Sequence, residues 1–515
     1  MVASMSSESD YSTDDCKDVK AEKRPRGVQQ CLSTEMGRVL VAGSGFLADG
    51  YDLFVIGLVE MIFEAEYVKT GIITESEYSW AKGTMASSAL LGAVLGQIVL
   101  GTLADRIGRR VVFIVTAVLI ILGSLLSAMA SPNLIAGRGP DQVFVQIAIA
   151  RLIMGFGIGG EYPLSASIAA EGCTKRRSGT LMALVFSNQG SGYLLACLVM
   201  IFLHGTGCSN EVTWRGALAF GAVVPGLALP FRMMMHESDD FEKVLKQREA
   251  HQANVDSRKT MKRYTWHLIG TAANWFLWDI VWYSNGLFSQ DIAQVLNVFG
   301  EDLMGKFTKK LIIVLCMLPG FALSVAFLNK LGRKNLQILG YVAIAILFFI
   351  LGLGYNWLKS SSPGLFFVLY AMTFLFANFG PNTTTYVIPG EIFPSQIKAT
   401  FHGFSAASGK IGGVVGAELF PRLDPKSDHG KVICLLLCAF VAVAGALFTF
   451  AFTPRYAAET LEVKLPGETV GYVPLRWQKK DHASALQAHS DASDATGSDN
   501  ASDGCSVEDD THNLA

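Results

Sequence analysis

From about residue 38 to residue 453, apolar stretches of twenty or so residues alternate with short clusters of charge. A helix rising 1.5 Å per residue needs about 20 such residues to cross roughly 30 Å of hydrocarbon. The pattern therefore predicts about twelve membrane-spanning helices, at 38–62, 80–103, 111–130, 142–170, 180–203, 215–234, 265–288, 308–328, 336–356, 365–389, 399–420 and 432–453. Between the sixth and seventh, residues 235–263 are charged and mostly polar. That linker divides the chain into two groups of six, 36–234 and 264–454. The fold class expected is an all-α membrane protein.

An internal echo supports the division. Gly101-Thr102-Leu103-Ala104-Asp105-Arg106-Ile107-Gly108-Arg109-Arg110 follows the second span, and Asn329-Lys330-Leu331-Gly332-Arg333-Lys334 follows the eighth. A glycine turn flanked by cations joins two helices tightly at a membrane surface. Two such turns, each after the second span of a half, predict a duplicated fold with pseudo-symmetric halves.

Composition sharpens this picture. Only 17% of the 515 residues are charged, against about a quarter in soluble domains, and mean hydropathy is +0.36. A net charge of −2, with no basic tract interleaved with aromatics, gives no footing for nucleic acid. The cations gather on one side, at Arg106, Arg109 and Arg110, at Lys175 to Arg177, at Arg258 to Arg263 and at Lys330 to Lys334. The loops at 64–78 and 204–213 are poor in them, although Arg422, Lys426 and Lys431 run against the bias. The positive-inside rule then expects both termini in the cytoplasm. The cysteines inside apolar runs (Cys197, Cys316, Cys434, Cys438) read as small hydrophobes, and no metal or cofactor is expected.

The tails, 1–35 and 455–515, are polar, and the C-terminal one is rich in Ser, Asp, Ala and His. Such composition predicts disorder. Ser490-Asp491, Ser493-Asp494 and Ser502-Asp503 would suit a kinase, though a solvated tail is the plainer and preferred explanation. Asn500-Ala501-Ser502 fits a glycosylation acceptor but falls on the expected cytoplasmic side.

Ionisable residues inside spans are costly, about 2.5–3.5 kcal/mol each at the bilayer centre, and mark function by default. Asp49 and Asp52 fall in span one, Arg151 and Glu161 in span four, Asp279 in span seven and Lys410 in span eleven. Trp275, Asp279 and Tyr283 are spaced by four, so an indole N–H, a carboxylate and a phenol share one helix face. An aromatic belt would explain the rings but not the acid between them. Gln189 and Asn382 add neutral amides in spans five and ten, where helix-packing hydrogen bonds compete with a cavity role. Gly92, Gly96, Gly155, Gly157, Gly159 and Gly160 suit close helix approach. Ser165 and His402 fall in predicted helices, where packing suffices, and no nucleophile–base–orienter set points to an enzyme.

The Gly101–Arg110 loop resembles the signature of the major facilitator superfamily. More specifically, Gly159-Gly160-Glu161-Tyr162-Pro163-Leu164-Ser165-Ala166 resembles the Gly-Gly-Asp-Tyr-Pro-Leu-Ser-Ala signature of plant and fungal phosphate:proton symporters. Asp49 to Phe54, Trp275 to Phe288, Asn378 to Asn382, His402-Gly403 and Ser408 to Lys410 extend the similarity over about 36–460. The resemblance implies a phosphate cavity lined by Tyr162, Gln189, Trp275, Asp279, Tyr283 and Asn382. It places Asp49 and Glu161 in proton movement, with Arg151 and Lys410 near the path; Asp52, beside Asp49, is grouped with them. Glu161 departs from the family's usual Asp, which bears on coupling and pH optimum more than on substrate class.

The expectation is a plasma-membrane importer of monobasic phosphate, coupled to protons by alternating access. The alternatives are a major facilitator carrier for another solute, or a phosphate receptor that signals through its tails. Span seven reads Asn274-Trp275-Phe276-Leu277-Trp278-Asp279 and lacks the Gln-Gln pair usual in sugar porters.

Overall fold

The computed structural model describes residues 34–131, 142–171, 173, 175–237, 242, 257–293, 300, 302–423 and 427–454. The two tails, with their serines and Asn500, lie outside the described residues, apart from 34 and 35. So does most of the linker at 235–263.

Among the described residues the chain is helical and holds no strand. The first half contains α1 (Glu35–Phe63), α2 (Glu75–Ile107), α3 (Arg109–Ala128), α4 (Gln142–Ala170), α5 (Lys175–Gly205), α6 (Asn210–Phe220) and α7 (Val223–Met234). The second contains α8 (Ser257–Ala293), α9 (Leu303–Leu331), α10 (Arg333–Leu353), α11 (Tyr355–Ser361), α12 (Pro363–Phe379), α13 (Pro381–Ile392), α14 (Lys398–Leu419) and α15 (Asp428–Phe452). Every predicted span has its helix. Nine helical stretches among the described residues are long and apolar enough to cross a membrane by length and composition. The other three spans are α1, α8 and α14, which carry Asp49 and Asp52, Asp279 and Lys410.

Two spans expected to be continuous are broken. Span six divides into α6 and α7 at Gly221 and Ala222, because Pro225 has no N–H to return to the carbonyl of Gly221. Span ten divides into α12 and α13 at Gly380, which takes φ −114° and ψ −105°. Pro381 follows it, and a proline disfavours the helical conformation in the residue before it. At the first break Gly221 is buried against Asp52, and at the second Gly380 and Pro381 are buried.

The halves repeat one another in contact as well as order. Within the first, α1 packs on α5 and α2 on α4; within the second, α8 packs on α14 and α9 on α12. Across the seam α14 meets α2, and α9 meets α5. Glycines set the closest approaches: a Cβ at Gly92, Gly96, Gly155 or Gly159 would strike the backbone of the facing helix in the α2–α4 pair.

The duplicated turns are built alike. Gly108 (φ 110°) and Gly332 (φ 80°) each precede the next helix in a conformation that L side chains rarely adopt. Arg109 then meets Glu171 at 2.9 Å, and Arg333 clasps Glu391 at 2.7 and 2.9 Å. At this basic end the halves touch through equivalent positions. Asp105 accepts from the backbone and hydroxyl of Thr400, and Asn329 donates to the Thr180 hydroxyl at 2.7 Å. Arg109 also donates to the carbonyl of Ser395 at 2.7 Å. The basic end is closed.

Candidate functional site

Between the halves lies a cluster of buried polar side chains. Asp279 on α8 is 2% exposed and Lys410 on α14 is 3% exposed. Lys410 Nζ stands 3.4 Å from Asp279 Oδ2. The ammonium also lies 4.8 Å from the centre of the Tyr162 ring and 5.1 Å from that of Tyr283, where the negative faces of the π-systems attract it. Gln189 Nε2 donates to the Tyr162 hydroxyl at 3.2 Å. The Trp275 ring sits 6.1 Å from Tyr162 and edge-on to His402 at 5.5 Å. Six expected residues, Tyr162, Gln189, Trp275, Asp279, Tyr283 and Lys410, thus meet around one point.

Glycines on α14 make room for that geometry. A Cβ at Gly409 would enter the Trp275 ring, and one at Gly413 would sit 2.6 Å from Tyr283 Cδ2. The face of α8 that carries Trp275, Asp279 and Tyr283 therefore lies flush against α14. None of the three is turned to lipid: Asp279 and Trp275 are buried, and Tyr283 has Lys410 and Gly413 beside it.

Asn382 stands in the first turn of α13, just beyond the Gly380 break. Its Oδ1 accepts from Trp278 Nε1 at 2.9 Å, and its Nδ2 donates to Asn378 Oδ1 at 2.7 Å. Trp278 and Asn378 were not singled out from the sequence, although both lie inside the motifs quoted there.

The acids expected near the proton path separate into three environments. Asp52 faces Ser124, whose hydroxyl donates at 3.4 Å, and lies against Gly221 at the break before α7. A carboxylate there profits from the N-terminal end of α7. Arg151 does not pair with it side chain to side chain; its guanidinium donates to the Asp52 carbonyl at 3.2 Å and to that of Met85 at 3.1 Å.

Glu161 is clamped. Its Oε1 accepts from Arg232 Nη1 and from the Thr116 hydroxyl, each at 2.5 Å, and its Oε2 accepts from Arg232 Nη2 at 3.0 Å. The guanidinium lies 3.7 Å above the Phe113 ring. Arg232 was missed because it falls two residues from the end of predicted span six, where a long cation ordinarily snorkels to the interface. Asp49 is the third case. It is fully buried, and neither carboxylate oxygen has a hydrogen-bond partner among the described residues.

Known proteins resemble this chain over most of its length. The sequence profile described as "Sugar (and other) transporter" matches residues 38–267 and 291–464. A probable inorganic phosphate transporter 1-6 of Arabidopsis thaliana is 34% identical over 491 residues, covering 84% of this chain and 93% of that protein. Inorganic phosphate transporter 1-2 of rice (Oryza sativa subsp. japonica) is 34% identical, covering 80% and 88%. A low affinity inorganic phosphate transporter 1 of Petunia hybrida is 32% identical, covering 82% and 91%. Among solved structures, the proton:xylose symporter XylE bound to 6-bromo-6-deoxy-D-glucose superposes with a TM-score of 0.70 at 23% identity, over 82% of this chain and 96% of that one. A partially occluded inward-open form of XylE from E. coli gives 0.66 at 22%, over 82% and 98%. That likeness establishes the architecture, and the sequence relationship establishes the kinship: the chain belongs to the sugar (and other) transporter family and has the major facilitator fold.

Proposed function

We propose that the chain imports monobasic inorganic phosphate together with protons, by alternating access between its two halves. The observation that carries this reading is the Lys410–Asp279 pair, enclosed by Tyr162, Tyr283, Trp275 and Gln189. A buried cation paired with an acid is a ready exchange site for an oxyanion. When Asp279 takes up a proton its hold on Lys410 weakens, and the phosphate anion replaces it as the ammonium's partner. Phosphate offers hydroxyl donors as well as acceptor oxygens, so the acid, the phenols, the indole and the amides of Gln189 and Asn382 can all engage it. Sulfate has no hydroxyl at neutral pH. The names of the relatives support the same substrate.

Asp49 and Asp52 stand along α1 beside this site and serve proton movement, with Arg151 holding α1, α2 and α4 together there. One charge moved through about 100 mV is worth about 2.3 kcal/mol. A monovalent anion must therefore travel with at least two protons if the potential is to assist. The cations at the basic end support a cytoplasmic location for it, and with it for both tails and the 235–263 linker, in a plasma-membrane carrier whose C-terminal serines would be a kinase's targets.

The test is uptake of labelled phosphate into proteoliposomes, with and without an imposed proton gradient. Gradient-driven accumulation that excess phosphate abolishes, and that sulfate, glucose and amino acids spare, is expected. Accumulation of glucose instead, or indifference to the gradient, would overturn the reading.

A further inference from the structure

We propose that His402 of α14 and Gln97 of α2 form an inner station for phosphate, on the basic side of the Lys410–Asp279 pair, where the anion pauses before release. This rests on the transport reading above and extends it along the route.

α14 begins at the basic end with Lys398 and runs past the central site at Lys410. Lys398, His402, Ala406 and Lys410 recur at every fourth residue along it, and all four are buried. Each step of four drifts only about 40°, so they form one slowly winding stripe. His402 stands about 12 Å from Lys410 along the axis, toward the basic end. Its imidazole is fully buried, with Nε2 at 3.1 Å from the carbonyl of Tyr386 on α13. A carbonyl only accepts, so that nitrogen carries the ring proton and Nδ1 is left as an acceptor. No donor among the described residues meets Nδ1. The ring is edge-on to Trp275 at 5.5 Å and to Tyr386 at 5.2 Å, so Trp275 links this layer to the central one.

Gln97 stands across the seam, in the first half. It is fully buried, and neither atom of its amide has a partner among the described residues. The two helices touch directly here: a Cβ at Gly403, next to His402, would strike the Gln97 carbonyl. Buried polar groups that serve only packing are bonded to a neighbour. A structural histidine needs the Nε2 contact alone, which explains neither Nδ1 nor the Gln97 amide. Unused hydrogen-bonding groups from opposite halves, sealed in one layer, suit a guest that arrives as the halves part. Its chemistry follows from theirs. Nδ1 accepts and the amide both donates and accepts, so the guest carries a hydroxyl and an acceptor oxygen, as monobasic phosphate does. Lys398, one turn nearer the basic end, already acts on the imidazole and supplies a cation. Just beyond it the backbone N–H groups of Ala399 and Thr400 hold Asp105, a contact that shuts the basic end. The station thus lies between the central site and the closure.

The experiment uses the full chain in proteoliposomes of one orientation. It reads exchange of labelled phosphate, with phosphate varied at the outer face and at the basic face in turn. His402→Phe keeps a ring between Trp275 and Tyr386 and loses the acceptor. It is expected to raise the half-saturating phosphate concentration at the basic face about tenfold, as loss of a hydrogen bond to a charged ligand does, and to leave the outer face within about twofold. His402→Asn, whose Oδ1 can accept while its Nδ2 donates, is expected to stay within about threefold of wild type at both faces. Gln97→Leu is expected to behave as His402→Phe does. A merely structural imidazole would disturb both faces alike, so an equal rise at the two, or no rise at either, overturns the proposal. Should His402→Phe not reach the membrane, Gln97→Leu decides by the same comparison. Failure of the wild-type protein to exchange phosphate would instead remove the transport reading itself.

Discussion

Thr400, in the first turn of α14, gives Asp105 two hydrogen bonds, 2.7 Å from its backbone N–H and 2.8 Å from its hydroxyl. The carboxylate ends α2 in the first half, and the threonine opens a helix of the second. Negative charge at a helix N-terminus is favoured, so this contact draws the halves together where Arg109 also reaches Ser395. Hydrogen bonds to a charged group are worth about 1.5–3 kcal/mol. Asp105→Ala is expected to lower the initial rate of phosphate uptake about tenfold at equal protein in the membrane. An unchanged rate would show that closure does not depend on this acid.

Removing one partner of a buried ion pair costs about 3–5 kcal/mol. Lys410→Met should reduce phosphate binding more than a hundredfold, and Asp279→Asn should abolish proton-driven phosphate uptake, while each protein still reaches the membrane. Binding measured on purified protein, alongside surface labelling, separates this from misfolding. Wild-type uptake in Asp279→Asn would remove that residue from the site.

Gly413 is flush with the Tyr283 ring. Gly413→Ala is expected to push the ring aside and raise the KM for phosphate severalfold, since a displacement of about 1 Å in a binding group can cost a factor of 100. Kinetics of uptake at varied phosphate concentration provide the check. A variant with normal KM would mean that the α8–α14 contact has slack to absorb a methyl group.

Gly332 has φ 80° and nothing near the place a Cβ would occupy. Gly332→Ala therefore tests backbone conformation alone, at about 1–2 kcal/mol. Its unfolding midpoint in detergent should fall by a few degrees, with phosphate binding unchanged. An unaltered midpoint would mean that the turn relaxes to negative φ.

The spans were legible because each apolar run is as long as the bilayer is thick, and α4 runs over the very residues expected, 142–170. The face of α8 was legible too, since a spacing of four holds wherever a helix forms. The breaks at Gly221 and Gly380 were not read, because hydropathy continues across them; Pro225 and Pro381 were the signals that could have shown them. Partnership was the larger gap. Lys410 with Asp279 and Arg232 with Glu161 join helices far apart in sequence, and no local pattern says which buried acid faces which base. The sequence marked Asp49 and Glu161 as alike; their surroundings make them opposites.

Two of the contacts that shut the basic end occupy equivalent positions, yet one is built on an anion and the other, Asn329 with Thr180, on neutral groups. Charge-assisted bonds are roughly twice as strong as neutral ones. Under the same load the α5–α9 edge gives way before the α2–α14 edge. Opening at the basic end is then expected to begin along the α5–α9 edge, with the α2–α14 edge as the hinge.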